Sequence, residues 1–303
     1  MRGTTLGRDE LERLAERARR RTPGSPEKGP VGASPRPGLH LFRQHERTAF
    51  EASILEPVLI LILQGRKEMA LGERTVRLAA GECAVISHDL PIATRVLEAP
   101  YLALLVAVEV DVVRGLYEDV GELPPRPAAR ALEVHRAEPA LLDALDRYLA
   151  LADASTDARV LGPMLLREIH YRLLTAPLGH MLRSLLRHDS HASAIARAIG
   201  ILRRDFRAPM VVEDLARAVG MSVSSFHKHF KDVTTSSPLQ YQKTLRLLEA
   251  RRALLAGAES VTTVAYEVGY ESPTQFAREY ARKFGRPPSH DRAAAPRSSQ
   301  VRR

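Results

Sequence analysis

Tryptophan is absent from the 303 residues, cysteine occurs once, at Cys83, and aromatic residues amount to only 5%. One thiol excludes an intrachain disulfide. No apolar run is long enough to span a bilayer, and no secretory hydrophobic segment is present, so the chain reads as cytoplasmic. An excess of acidic residues is missing as well: 45 Lys+Arg stand against 36 Asp+Glu, a net charge of +9. That excess is local. Residues 191–303 hold 19 basic and 10 acidic side chains, while residues 1–190 hold 26 of each. A basic segment joined to a neutral one is the electrostatic footprint expected of a polyanion-binding domain. The length, with 45% hydrophobic residues, suffices for two domains with cores of their own.

What is there is a duplication. Val212–Lys231 and Val261–Gly285 overlay with Leu215/Val264, Ala216/Ala265, Val219/Val268 and Gly220/Gly269 matched. After a one-residue insertion in the second copy, Ser222/Ser272, Phe226/Phe276 and Phe230/Tyr280 match too. Each copy reads as a short amphipathic helix, a glycine turn, a serine N-cap and a second amphipathic helix, which is a helix-turn-helix. Glycine suits the positive φ of such a turn, and a serine hydroxyl accepts from the free N–H groups that open the next helix. Pro273 fits the first helical position, where its missing N–H costs nothing. Phe226 and Phe230, and Phe276, Tyr280 and Phe284, recur every four residues and should form the buried stripe. Between the copies, Ser237-Pro238 starts a helix expected to run over Pro238–Ala256, about 29 Å at 1.5 Å per residue. Its Tyr241, Leu245, Leu248 and Leu255 should pack against both helical pairs. A spacer approaching the ~34 Å repeat of B-DNA can place two recognition helices in successive major grooves.

Ahead of this region the chain changes character several times. Residues 1–38 carry a charged stretch over Arg8–Arg20 and then a Pro/Gly/Ser-rich run. Their sparse apolar content predicts a mobile basic arm, with Arg17–Arg21 as a solvated run able to touch nucleic acid. Strand-like runs follow at Leu39–Phe42, Val58–Leu63, Thr75–Leu78, Cys83–Ser87, Ile92–Val96 and Tyr101–Val110. Gly65, Gly72, Gly81 and Asp89–Pro91 read as the turns between them, with Arg66–Lys67 in an exposed hairpin turn. This cadence predicts a small antiparallel β-barrel or sandwich. Val58–Leu63, apolar throughout, predicts a strand covered on both faces. A ligand-sized barrel could use Arg43, Gln64, Arg66 or His88 as polar groups at its mouth. From Val112 to about Arg187 the pattern is helical, with aliphatic stripes over Pro139–Leu151 and Val160–Leu174 that could close the barrel or form a dimer seam. His180, His188 and His191 lead into the domain boundary near 188–192, and Ile195–Phe206 reads as the first helix of the basic domain. Metal chemistry is not expected. His40, His45 and His88 lack the His-x-His pair followed by Glu that metal-binding cupins use, and the His188/His191 spacing sits in a polar linker.

The stretch Val268-Gly-Tyr-Glu-Ser-Pro-Thr-Gln-Phe-Ala-Arg-Glu-Tyr-Ala-Arg-Lys-Phe-Gly-Arg-Pro-Pro288 resembles the signature region of the AraC/XylS family of bacterial transcription regulators. The likeness covers about residues 193–292. It extends forward through Ser237-Pro-Leu-Gln-Tyr-Gln-Lys243, Pro163-Met-Leu-Leu-Arg-Glu-Ile-His-Tyr-Arg-Leu-Leu174, Pro100-Tyr-Leu-Ala-Leu104, Asp89-Leu-Pro91, Leu63-Gln-Gly-Arg-Lys67 and Pro37-Gly-Leu-His-Leu-Phe-Arg43. Those earlier stretches are similar to the subgroup with a cupin-like N-terminal domain. The resemblance implies an α+β chain: a cupin-like β-barrel with a helical extension over 39–190, then an all-α double helix-turn-helix domain over 191–292 and a basic tail over 293–303. It implies a DNA-binding regulator whose N-terminal domain binds a small-molecule effector, dimerises, or both, and which activates promoters by contacting RNA polymerase. The family's base-reading positions fall on Ser224, Ser225, His227 and Lys228 in the first recognition helix. In the second they fall on Thr274, Gln275 and Arg278.

Those residue types carry their own chemistry. Arg278 can pair bidentately with guanine O6 and N7, and Gln275 suits adenine. Lys228, Lys231, Arg282 and Lys283 suit phosphate, which positions without specifying. The first recognition helix carries serines and Lys228 where relatives often have bulky or arginine side chains, so the second is expected to give most of the direct readout. Two rival classes remain: a cupin-like enzyme fused to a DNA-binding domain, and a scaffold that recruits a partner through the aliphatic helices and binds DNA without sequence preference. The enzyme needs clustered metal ligands or a nucleophile–base pair, and neither is found; no cofactor is expected.

Overall fold

The computed structural model describes residues 3–22, 31–121, 132–153, 155–187, 190–258 and 260–293. The chain divides into two compact units, Met1–Ser193 and Ala194–Arg303. In the first, helix α1 (Gly3–Arg21) precedes strands β1 (Val31–Arg36), β2 (Leu39–Gln44), β3 (Glu51–Leu55), β4 (Val58–Leu71), β5 (Arg74–Ala79), β6 (Glu82–Ile86) and β7 (Leu90–Ala107). Helix α2 (Val110–Val120), strand β8 (Glu133–Arg136) and helices α3 (Pro139–Ala150), α4 (Ser155–Thr175) and α5 (His180–Leu186) follow.

The sheet is antiparallel, in the order β1-β2-β7-β4-β6-β8, with β3 paired to β7 and β5 to β4. Its two long strands each serve two neighbours. The start of β4 pairs with β6 and its end with β5, while the start of β7 pairs with β3 and its end with β2. Between them the β4–β7 ladder slips register from Ile62 to Lys67, so both strands turn from one layer into the other, as bulges allow. Gly65 makes that crossing. Its φ is +77°, and a Cβ there would lie 2.4 Å from the Glu98 carbonyl oxygen.

Side chains alternate between two cores, as the period of two in a strand dictates. Leu39, Leu41, Leu59, Leu61, Val85 and Leu104 face Leu14 of α1, Leu145 of α3, Ile169 of α4 and Leu182 of α5. Ile60, Ile62, Met69, Leu78, Ile92 and Val96 close on one another on the opposite face. Val58–Leu63 is therefore covered on both sides, as its unbroken apolar run predicts.

Several sequence expectations need correction. Most of the mobile arm is structure: Leu14, Ala15 and Ala18 of α1 are buried, and Arg17 Nε donates to Asp146 Oδ1 of α3 at 2.7 Å. Leu11, Leu14, Ala15 and Ala18 lie on one side of the helix, and α3 and the sheet supply the partner surface. β1 then extends the sheet from the supposed arm. The runs Ile92–Val96 and Tyr101–Ala107 are parts of one strand, β7, which ends before Val110 opens α2, and Asp89–Pro91 is where β7 begins rather than a separating turn. Gly65 and Arg66–Lys67 lie within β4, not in a hairpin turn; the hairpin is at Gly72. His188 lies outside the described residues.

The second unit is helical: α6 (His191–Arg204), α7 (Val212–Ala218), α8 (Val223–Thr234), α9 (Pro238–Leu255), α10 (Val261–Glu267), α11 (Pro273–Phe284) and α12 (Pro288–Ala293). In α9, Tyr241, Leu245 and Leu248 are buried as expected, but Leu255 is exposed and Leu247 and Leu254 take the buried face instead. Leu255 ends the helix, where the turn at Gly257 already leads the chain away.

Candidate nucleic-acid interface

Two helix pairs, α7–α8 and α10–α11, repeat the same local chemistry. Gly220 and Gly269 hold φ of +75° and +90° at the two turns. Ser222 accepts from the Ser225 amide and Ser272 from the Gln275 amide, each at 3.3 Å. Pro273 occupies the first turn of α11. Phe226 and Phe230 in α8, and Phe276 and Tyr280 in α11, are buried completely. Their rings pack in sequence, Phe226–Phe230 at 5.4 Å and Phe276–Tyr280 at 5.5 Å between centroids. Phe230 continues edge-on to Tyr241 of α9 at 5.6 Å, which seats the first pair on the connector.

With that stripe inward, the opposite faces are left outward. Ser224, His227, Lys228 and Lys231 of α8 are exposed, and Ser225 is half-buried. Thr274, Gln275, Arg278, Arg282 and Lys283 of α11 are all exposed. Lys228, Lys231, Arg278, Arg282 and Lys283 form no ion pair among the described residues, whereas Arg217, Lys243, Arg251, Arg252 and Arg286 of the same unit each have an acidic partner. Four of these cations face away from the stripe and suit a phosphate backbone, while Lys283, seven residues after Phe276, lies on the stripe's side of α11 and burial lowers its pKa. The first helix offers less to base edges, since Ser224 Oγ lies 3.4 Å from the capping Ser222 Oγ and Ser225 sits under the cap.

Behind the second helix stands a polar network that no periodicity announces. Glu279 accepts from the Gln275 side-chain amide at 3.2 Å, the Lys243 ammonium at 3.1 Å and the Tyr270 hydroxyl at 2.8 Å. Burial pushes its carboxyl up, but these three donors outweigh it and hold the group below the usual range. The bond to Glu279 uses one N–H of the exposed Gln275 amide, and bidentate pairing with adenine would use the second N–H and the carbonyl oxygen. At the end of the unit, fully buried Asp291 of α12 takes the Tyr280 hydroxyl at 2.6 Å, with Arg286 at 2.7 Å and Arg251 at 3.3 Å. This ties α12 to α11 and α9.

Residues 35–181 match the family described as AraC-type transcriptional regulator N-terminus, and residues 215–294 match a helix-turn-helix domain family. The chain belongs to the AraC family. Among AraC-type relatives, the virulence regulon transcriptional activator VirF of Yersinia enterocolitica is 27% identical over 163 residues, 54% of this chain and 60% of VirF. The regulator ExsA of Pseudomonas aeruginosa is 28% identical over 133 residues, 44% of this chain and 48% of ExsA. The chain thus aligns with 60% or less of these relatives' length. A crystal structure of an apo ToxT variant from Vibrio cholerae shares the fold, with a TM-score of 0.54 at 11% identity over 85% of this chain and 97% of that one. The fold class is therefore α+β, an antiparallel sheet domain followed by a helical domain.

Of the four residues expected at the mouth of the barrel, Arg43 and Gln64 flank Leu102 on either side of β7, Arg66 is opposite Glu98, and His88 lies just beyond β6. Arg43 donates to the Thr22 carbonyl at 3.0 Å, Gln64 accepts from Arg19 at 3.4 Å, and Arg66 pairs with Glu98 at 3.2 Å. His88 is buried, between Ser87 Oγ at 2.8 Å and the Ala192 carbonyl at 3.2 Å; burial lowers its pKa. Sequence reasoning passed over Lys67 and Tyr101 instead. The Lys67 ammonium lies 5.8 Å from the Tyr101 ring centroid. Burial lowers the lysine to about 8, and the buried Tyr101 hydroxyl has no hydrogen-bond partner among the described residues.

Proposed function

We propose that this AraC-family chain is a cytoplasmic, sequence-specific transcriptional regulator of double-stranded DNA, with α11 as its principal reader and α8 contributing mainly phosphate contacts. The observation that carries this is the outward row Thr274–Gln275–Arg278, flanked by unpaired Arg282 and Lys283 and backed by buried Phe276 and Tyr280. Arg278 reads guanine, Gln275 reads adenine, and Lys228, Lys231, Arg282 and Lys283 hold phosphates. The N-terminal sheet domain receives a small-molecule effector or pairs with a second copy, and the DNA-bound protein contacts RNA polymerase as an activator. This reading is of a binding protein, not an enzyme. For the effector, Lys67 and Tyr101 offer an ammonium and a hydroxyl with no hydrogen-bond partner among the described residues, whereas Arg43, Gln64, Arg66 and His88 each already make at least one polar contact.

Selection from random duplexes with purified full-length protein, followed by mobility shifts against competitor DNA, tests the reading. A defined pair of boxes should emerge. Enrichment of no sequence would leave only the partner-recruiting scaffold with non-specific DNA affinity.

A further inference from the structure

The connector α9 does more than separate two helix pairs. Arg246, near its middle, turns all three guanidinium nitrogens to backbone carbonyls, in four hydrogen bonds. Nε donates to Phe206 O at 2.7 Å, Nη2 to Arg207 O and Ala208 O at 3.0 Å each, and Nη1 to Gly269 O at 2.8 Å. The first three acceptors lie in the loop between α6 and α7, which leads into the first helix-turn-helix. The fourth is the turn glycine of the second. One helical turn earlier, Gln242 donates to Phe206 O at 3.0 Å and Ala208 O at 2.8 Å. Gly269 itself presses on the same loop, since a Cβ there would come within 2.3 Å of Arg207 O. The turn of one motif and the entry of the other are thus in direct contact, riveted by a planar fork whose N–H groups sit at fixed angles.

We infer that Arg246 is a positioning residue for two-box DNA recognition: it locks the turn of the second helix-turn-helix onto the loop that leads into the first. This rests on the proposal that both α8 and α11 enter the duplex. A helix alone holds the two motifs apart but leaves each free to rock about its end. The Arg246 fork removes that freedom, so the angle between the recognition helices is set before DNA arrives. Pre-organisation of this kind lowers the ordering cost of binding and therefore acts on the linked two-box complex, not on either box alone.

The test uses full-length protein, wild type and Arg246→Lys, with a two-box duplex obtained by in vitro selection. Companion duplexes have either box scrambled or about five base pairs inserted between the boxes, a half-turn that puts them on opposite sides. Arg246→Lys keeps the charge but cannot reach all four carbonyls. It should leave single-box affinity within about twofold while lowering two-box affinity about tenfold or more, and it should flatten the penalty of the half-turn insertion. Gln242→Leu, which removes the neighbouring tie of α9 to Phe206 and Ala208, should shift two-box affinity in the same direction by a smaller factor, and melting curves identify which variants are folded. Should Arg246→Lys not fold, the Gln242→Leu result decides by the same criterion. Two-box affinity and an insertion penalty equal to wild type in a folded variant would overturn the inference and leave the function standing. A wild type that binds one box as tightly as two would refute the two-helix reading itself, and the positioning role with it.

Discussion

At the scale of single residues, the proposed interface separates side chains that read from side chains that hold. Arg278 is exposed on α11, on the face away from Phe276 and Tyr280, so Arg278→Ala should cost about 1–3 kcal/mol on specific DNA and relax preference at one base pair. Lys283→Ala should weaken binding to all sequences alike and reduce the slope of log K against log salt by about one. Competition binding on the selected duplex and its single-base variants distinguishes the two, and a uniform loss in Arg278→Ala would contradict the readout role. Lys67 makes a separate case in the first unit. Its pKa falls from 10.5 unfolded to about 8 folded because burial disfavours the ammonium. Between those values the unfolded chain binds more protons than the folded one, so stability rises with pH across that window and the cost is fully present below it. Lys67→Met should raise the melting temperature of the first unit at pH 7 and abolish the gain otherwise seen between about pH 8 and 10.5. A mutant that keeps the wild-type pH profile would show that Lys67 is not its source.

At the scale of elements, what could be read in the sequence was whatever local chemistry alone determines. Gly220, Ser222, Ser272, Ser237 and Pro273 act within a few residues of themselves, and each does in the structure what its type predicts, as does Gly269 in its positive φ. The four-residue aromatic spacing placed the buried stripe because a helix returns to the same face at that interval. Elements that depend on distant partners were not legible. β1 carries a glycine and a proline and survives as an edge strand with a register shift between Ala33 and Arg36, positions where a missing N–H is tolerated. β3 and β8 are short, and each has a single partner, β7 or β6. Gln275–Glu279 is an i,i+4 pair that a helix brings together, but the Arg246 and Gln242 contacts and the Lys243 and Tyr270 bonds to Glu279 span separations with no periodic signature, so the clamp behind the reading helix was invisible. Helix α1 is the instructive miss. Its burial comes entirely from α3 and the sheet, so its weight is measurable: Leu14, wholly buried, should cost about 2–5 kcal/mol as Leu14→Ala. Thermal unfolding of the first unit checks this, and a change under about 0.5 kcal/mol, the usual range for surface sites, would restore the mobile arm.

At the scale of the whole molecule, charge and core divide along the same line. Each unit has a hydrophobic core of its own, and the basic excess belongs to residues 191–303. A fragment starting at His191 contains all of α6 through α12 and every side chain assigned to DNA, so it should fold and retain the base preference of the full chain. Its affinity should be lower if first units pair in the full-length protein, because linked sites gain effective concentration. The salt dependence separates pairing from a direct contact. Counterion release counts only the cations that touch phosphate. Pairing through a neutral first unit would therefore raise affinity per duplex without adding phosphate contacts by each copy of that unit. Measured on a single selected site with one copy bound, fragment and full-length protein should then give the same slope of log K against log salt. Arg19, Arg20 and Arg21, in the last turn of α1, are the nearest thing to a basic cluster that the first unit owns. Had they a place on the DNA, the full-length slope would be steeper by about one for each phosphate they engage, and Arg20→Ala, at the most exposed of the three, would bring it back toward the fragment's value.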